Sequence, residues 1–246
     1  MIVGAVLAGG TGTRMGKGAV PKQFLKIGGK EILLWTVENM LRYKGFDKLL
    51  VLCPAEWTGQ AEALIGSLED GDLRDRVEVL TGGATRTETL MRAAGRAEEL
   101  AGADDAVLVT HDAARPFVTE RVIAESAEAA AKYGASAVAV PQVDTIFESA
   151  DGVTVDAVPD RRRLFDAQTP QAFRVAKLIE LYGGLSEEEK EILTDGAKIF
   201  VTKGEPVGIV IGDTENIKIT YPADLITAEA ILQSRRGPAP EKGMKE

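Results

Sequence analysis

From Ile2 to Val140, short apolar runs rich in Val, Leu and Ala alternate with longer stretches of helical period. The runs predict strands over Ile2–Leu7, Lys48–Cys53, Val77–Leu80, Ala106–Thr110 and Ser136–Val140. Between them the spacing predicts helices over Ile32–Tyr43, Thr58–Leu68, Thr87–Leu100 and Thr119–Tyr133. Strands separated by helices of this length pair in parallel, because each crossover returns the chain to the same end of the sheet. The strands read as unbroken apolar runs, as expected when helices cover both faces. The expected class is α/β, with a mostly parallel sheet between helical layers.

The rhythm breaks after Pro141. Thr145–Ala167 reads as a hairpin-type excursion turning at Asp151-Gly152. Such an arm, spanning roughly 143–168, would project from the α/β body and pack on a partner subunit. Helices are expected again at Val175–Leu181 and at Ser186–Leu193, where Ser186 and Glu189 form a capping box. Val207–Ile211 reads as a late strand and Pro222–Leu232 as the last helix, with Pro in its first turn. A chain of 246 residues with 45% hydrophobic residues can fill one large core. One domain over residues 1–234 is expected, followed by a Pro/Gly/charge-rich tail at 235–246 predicted to be disordered.

Charge is segregated along the chain. The net charge is −9, yet the first thirty residues carry five basic side chains and no acidic one. An apolar strand there runs into a Gly/Thr loop followed by Arg14, Lys17 and Lys22. Backbone N–H groups near a helix start, with cations beside them, suit a polyphosphate. The loop is neither a P-loop nor the dinucleotide fingerprint. Gly12 to Lys17 is one residue short of the first, and Met15 stands where the second needs its third glycine. A sequence pI near 4.9 argues against a nucleic-acid binder. Cys53, the single cysteine, excludes a disulfide framework and reads as an inert core or rim thiol. The opening apolar run breaks at Gly9, which predicts no signal peptide, and no stretch is long enough to span a bilayer. A cytoplasmic protein is expected.

Three further stretches carry chemistry. Thr110-His-Asp-Ala-Ala-Arg-Pro116 follows a strand, and a carboxylate at that end lies where α/β proteins bind ligands. Asp112 could hold Mg²⁺ on phosphate oxygens, or cap a turn with Arg115 as its ion-pair partner. His111, the sole histidine, has no visible catalytic partner and reads as structural. Arg161–Arg163 would suit a phosphate clamp or be a solvated basic stretch. Lys218 stands in the short apolar run Asn216-Ile-Lys-Ile-Thr220 and needs an anionic partner there.

LAGGTGTRMG with PKQFL, GGATRTETL, THDAARPF, VDTI, AQTPQAF, LTD and NIKIT-x-P-x-DL occur in the order of one family. The chain resembles the cytidylyltransferases that act on 2-C-methyl-D-erythritol 4-phosphate or on ribitol 5-phosphate, over nearly everything but the tail. The resemblance implies a Rossmann-like domain with a protruding β-arm that mediates a homodimer. It implies CTP and Mg²⁺, attack by a polyol phosphate on the α-phosphorus, and release of pyrophosphate as a CDP-alditol forms. By similarity, Ala8, Gly9, Gly10 and Gly12 would line the nucleotide loop. Arg14, Lys22 and Lys218 would be catalytic cations. Gly83, Arg86 and Thr89 would lie by the cytidine, and Asp112 would hold the metal. Arg115, Thr145, Arg161, Thr169 and Thr194 would contact the acceptor, Thr145 and Arg161 reaching it from the neighbouring subunit's arm.

Many erythritol-type members carry an acid after the paired glycines, where this chain has Ala84. AGGTGTRMG, the PAEW stretch at 54–57, GGATRTETL and LSEEEKEILTDGAKIF are closer to the ribitol branch, while AQTPQAF is closer to the erythritol branch. This tally favours D-ribitol 5-phosphate as acceptor, in cell-wall polymer synthesis. The alternative is 2-C-methyl-D-erythritol 4-phosphate, in isoprenoid precursor synthesis. A nucleotidyltransferase using UTP or GTP on a sugar 1-phosphate is disfavoured by the PKQF and THDAARPF pair. A non-catalytic binding module would be expected to lack Arg14, Lys22, Asp112 or Lys218, and all four are present.

Overall fold

A computed structural model describes residues 1–9 and 20–236 of the chain. Its centre is a sheet of seven strands: β1 (Ile2–Leu7), β4 (Lys48–Cys53), β5 (Val77–Thr81), β6 (Val107–Asp112), β7 (Ala135–Pro141), β8 (Phe165–Arg174) and β9 (Gly208–Ile211). The order is β5-β4-β1-β6-β8-β7-β9, and β8 alone runs against its neighbours. The two-residue strands β2 (Lys26–Ile27) and β3 (Lys30–Glu31) form a separate small hairpin. Helices are α1 (Ile32–Arg42), α2 (Thr58–Gly66), α3 (Gly71–Asp75), α4 (Arg86–Ala101), α5 (Glu120–Tyr133), α6 (Val175–Gly183), α7 (Glu187–Glu191), α8 (Ala197–Thr202) and α9 (Pro222–Arg236).

The two-residue alternation of the strands sends side chains into two cores. Leu49, Val51 and Cys53 of β4 face α1, α2 and α5 with Met40, Ile65 and Ile123, while Leu50 and Leu52 face α4 and α6 with Leu90 and Leu178. Cys53 is fully buried, and burial, with Glu62 and Glu56 nearby, pushes its thiol up to about 11, so it is an inert core thiol. A third, smaller cluster seats α9 through Ala228 and Leu232 against Phe117 and Ile219. No helix among the described residues is long and apolar enough to cross a membrane.

Three expectations change. First, the AQTPQAF segment lies in a central strand. Phe165–Arg174 has no apolar run because Gln168, Thr169 and Gln171 are buried polar residues satisfied by tertiary partners. Gln168 donates to the Asp213 carbonyl and Gln171 to Asp195. Opposite it the β7 register jumps from Ala137↔Gln171 to Ala139↔Ala167, so Val138 alone faces residues 168–170. Pro170 has no N–H to give the ladder, and the bulge falls at that residue. Second, the arm is no ladder. Only Glu148↔Ala157 bridges it, and Asp151 cinches its tip by accepting from the N–H groups of Val153 and Thr154. Val143, Phe147, Val153, Val155 and Val158 are exposed along it, and a two-stranded ribbon with nothing to pack on is marginal. Third, α9 runs to Arg236, past its predicted end at Leu232. Arg235 pairs with Glu215 at 2.9 Å and stacks its guanidinium on Phe117. The rest of the predicted tail, residues 237–246, lies outside the described residues. The Ser186/Glu189 capping box is present, on a helix shorter than expected.

Phe173 on β8 is fully buried and stacks on Phe200 at 5.7 Å between ring centres. Phe173→Ala is expected to cost roughly 3–5 kcal/mol in urea unfolding, the usual penalty for an unfilled aromatic site. A loss under about 1 kcal/mol would mean that β8 is not part of the cooperative core.

Candidate active site at the β1–β6 switch

The chain winds outward from β1 through β4 to β5, then returns to β6 on the other side of β1. The strand order therefore reverses between β1 and β6, where open α/β sheets form a crevice beyond the strand ends. The register Leu7↔Asp112 brings both strands to that edge together. Ala8 and Gly9 leave β1 there, and Asp112 ends β6.

A cleft of ≈ 190 Å³ opens at this edge, lined by Leu7, Ala8, Gly9, Lys22, Gln23, Ala84, Thr85, Arg86, Thr89, Asp112, Ala113, Ala114 and Lys218. Lys22 and Gln23 belong to a short 3-10 turn, and the buried Gln23 amide donates to the Ala8 carbonyl at 2.7 Å. Across the cleft α4 presents its N-terminus. Thr85 caps it by accepting from the Glu88 N–H, while the Glu88 carboxylate accepts from the Ala84 N–H at 2.8 Å. Gly83 packs so closely on this turn that a Cβ would lie 2.3 Å from that of Glu88, so only glycine fits. The Thr89 hydroxyl donates to the Thr85 carbonyl and accepts from the Gly83 N–H. A capped helix end facing a cleft offers oriented N–H groups and positive potential to an anion.

Asp112 is the electrostatic centre. Its carboxylate lies 2.7 Å from Lys218 Nζ, 3.5 Å from Arg86 Nη2 and 3.8 Å from Arg115 Nε. Burial by itself would raise its pKa, but the charges of Arg86, Lys218 and Arg115 outweigh it and hold the carboxyl well below the usual range. Asp112 is thus ionised at any working pH, and the cluster keeps a net positive balance of three cations to one anion. His111, fully buried, sits beside it. Its Nε2 lies 2.9 Å from the Arg115 carbonyl, which can only accept, so Nε2 carries the proton. Nδ1 then accepts from the Thr169 hydroxyl at 2.9 Å, and the same hydroxyl accepts the Asp112 N–H at 3.1 Å. Desolvation lowers the His111 pKa to about 4, against the opposing pull of its hydrogen bonds and Asp112.

Of the residues singled out from sequence, Ala8, Gly9, Lys22, Arg86, Thr89, Asp112 and Lys218 line this one cleft, with Gly83 beneath the α4 turn. Gly10, Gly12 and Arg14 lie outside the described residues. Arg115 is buried behind Asp112, and its Nη1 donates to the Asn216 carbonyl. Thr169 is also buried, its hydroxyl engaged with His111 and Asp112 rather than facing the cleft. Thr145 and Arg161 stand on the exposed arm, and Thr194 is exposed between α7 and α8; within a single chain none of them lines the cleft. Thr85 was not singled out, although Thr85-x-x-Glu88 is the spacing that signals a helix start. Gln23 gave no signal, because its role depends on a carbonyl fifteen residues away.

A switch-point cleft that gathers a helix N-terminus, one ionised carboxylate and a surplus of cations belongs to a nucleotide-binding enzyme working at phosphorus, a nucleotidyltransferase. Residues 2–234 match the family model of 2-C-methyl-D-erythritol 4-phosphate cytidylyltransferase (IspD), and the chain belongs to that family. Solved structures agree over most of the chain. The 4-diphosphocytidyl-2C-methyl-D-erythritol synthase of Anaerococcus prevotii is 27% identical over 94% of this chain and 96% of its own, with a TM-score of 0.79. The 2-C-methyl-D-erythritol 4-phosphate cytidylyltransferase of Thermus thermophilus is 30% identical over 95% of this chain and 100% of its own, with a TM-score of 0.70. That of Francisella tularensis is 27% identical over 93% and 98%, with a TM-score of 0.73.

The buried neutral imidazole carries a pH signature. Unfolded, His111 binds a proton near 6.5; folded, only near 4. The unfolded state therefore binds more protons between these values, and the stabilisation present above pH 6.5 is lost as pH falls toward 4. A drop of up to roughly 3 kcal/mol is expected. Urea midpoints of wild type and His111→Asn between pH 7 and 4.5 check this, with the variant showing the flatter profile. An equal fall in both would place the loss in other groups.

Proposed function

We propose that the chain is a CTP-dependent cytidylyltransferase acting on 2-C-methyl-D-erythritol 4-phosphate. The observation that carries the reaction class is the Asp112 cluster, where Lys218, Arg86 and the α4 N-terminus converge on one cleft. The acceptor is supported by the family model and by the names of the full-length relatives. The motif tally that leans toward ribitol 5-phosphate compares short stretches only, and the whole-chain likeness outweighs it.

In this reading an acceptor phosphate oxygen attacks the α-phosphorus of CTP. A P–O bond forms there as the bond to the bridging oxygen of the β-phosphate breaks, and pyrophosphate leaves. The protein supplies alignment and charge rather than covalent chemistry. Lys218 and Lys22, with Arg14, would offset negative charge on the reacting phosphate oxygens. Gly83, Arg86 and Thr89 would hold the nucleoside end beside the α4 turn. Asp112 fits a Mg²⁺ role, since it is an ionised oxygen donor on the cleft wall. No group of three or more acidic, His or Cys side chains that could hold a metal occurs among the described residues. One carboxylate completed by water and substrate phosphates is the usual Mg²⁺ arrangement. When bound, such an ion would neutralise phosphate charge and orient the chain of phosphates.

The exposed apolar side chains of the arm support a homodimer in which Thr145 and Arg161 reach the partner's cleft, while Arg115 and Thr169, engaged in hydrogen bonds behind Asp112, would support the acceptor side without touching it. Sedimentation should give a dimer, and Phe147→Asp with Val155→Asp should shift it to monomer and raise the acceptor KM. A variant that stays dimeric would remove the arm from the interface.

Pyrophosphate release with CTP and Mg²⁺ tests the reaction, with the two polyol phosphates compared. Turnover with 2-C-methyl-D-erythritol 4-phosphate is expected, and preference for ribitol 5-phosphate would overturn the acceptor assignment. Lys218→Ala should cut kcat by about two to three orders of magnitude, the usual cost of one preorganised charge-stabilising group. Asp112→Asn should abolish metal-dependent turnover when the rate is normalised to the folded fraction, since three cations also lose their counter-charge; a variant that keeps full rate would remove Asp112 from the metal site.

A further inference from the structure

Behind the cleft, four buried residues close a ring of hydrogen bonds. His111 receives the Thr169 hydroxyl and donates to the Arg115 carbonyl. Arg115 donates through Nη1 to the Asn216 carbonyl at 2.7 Å. Asn216 donates through Nδ2 to the Thr169 carbonyl at 2.7 Å, which returns the circuit to its start. A branch runs from Asn216 Nδ2 to Gln168 Oε1 at 3.2 Å. His111 and Asn216 are 0% and 1% exposed, and neither lines the cleft.

The ring joins three pieces of chain, the end of β6, the middle of β8 and the segment that carries Lys218. Asp112 ends β6, and the pairing of β6 with β8 stops at Thr110↔Gln171. Past that point the Asp112 N–H is held by the Thr169 side chain instead of a ladder carbonyl. Lys218 lies in a segment outside any strand, between Asn216 and Ile219. Ile219 is tied by its N–H to the Ala114 carbonyl, and Asn216 by the ring. The salt bridge that crosses the cleft wall, Lys218 to Asp112, therefore has each end anchored by one member of the same circuit. A buried polar ring of this kind costs desolvation that apolar packing would avoid, and it returns a single fixed geometry.

We propose that His111 and Asn216 are positioning residues that set Asp112 and Lys218 at their working separation, so that turnover depends on two side chains that do not face the cleft. The inference rests on the reading of Asp112 and Lys218 as parts of the reacting centre.

The test compares His111→Ala, His111→Gln, Asn216→Ala and Asn216→Asp with wild type, each rate normalised to the folded fraction from circular dichroism. Gln keeps an N–H at the Nε2 position, and Asp keeps the Asn216 shape while replacing its donating amide. These two volume-conserving variants keep the test open if the Ala variants fail to fold. At saturating acceptor and Mg²⁺, kcat of His111→Ala, Asn216→Ala and Asn216→Asp should fall about 10- to 100-fold with KM for CTP moving less than about threefold, the scale seen when groups orienting a reacting ligand are lost. His111→Gln should recover part of kcat. Folded variants with lowered urea midpoints but wild-type kcat would overturn the inference and leave the ring a purely structural device. An unreactive wild type would overturn the proposed reaction, and the inference with it.

Discussion

An ionised carboxylate that is nine-tenths buried survives only where positive charge surrounds it, and Asp112 sets that demand at the end of β6. Three elements answer it. α4 brings Arg86 on its first turn, the turn after β6 brings Arg115, and the segment before α9 brings Lys218. Each comes from a different part of the chain, so the charge cluster also records how those parts are docked. Removing the carboxylate would leave three cations crowded together, and removing the cations would leave the carboxylate uncompensated. The cleft, the helix N-terminus beside it and the buried circuit behind it are all arranged about this one group.

The sheet makes the arrangement possible by ending two parallel strands at the same level. Leu7 stands beside Asp112 in register, so the loop after β1 and the acid after β6 reach the same edge. β8 then enters from the opposite direction, and its bulge at residues 168–170 turns Thr169 toward His111 and Asp112. An antiparallel strand inserted into a parallel sheet thereby supplies side chains to a site that parallel strands approach only with their ends. The arm that precedes β8 follows a different principle. Its tip is organised by Asp151 and its apolar side chains stay in solvent, which suits a surface completed by a second chain.

Much of the cleft was legible before any coordinates. Asp112 and Lys218 stood out because a carboxylate after an apolar strand and a lysine within an apolar run each require an explanation. Arg86 and Thr89 came from resemblance alone, since nothing in their local pattern distinguishes them from an ordinary helix start. β8 was not legible as a strand. Its buried polar side chains, Gln168, Thr169 and Gln171, enter a core only when Asp213, Asn216, His111 and Asp195 satisfy them, and those partners lie 24 to 58 positions away along the chain. The α9 boundary was missed for a similar reason, because Arg235 is retained by Glu215 and the Phe117 ring rather than by helical period.

The sequence by itself determined the parallel α/β frame, the placement of glycine and basic residues after β1, and the family. Those follow from periodicity, from local charge and from motif order, which are properties of neighbouring residues. Only the tertiary structure decided that β8 runs antiparallel between β6 and β7, that Thr169 supports Asp112 from behind, and that His111 and Asn216 belong to one closed circuit. These depend on long-range pairing of polar groups, whose burial is favourable only once every partner is in place, and no local pattern encodes that condition.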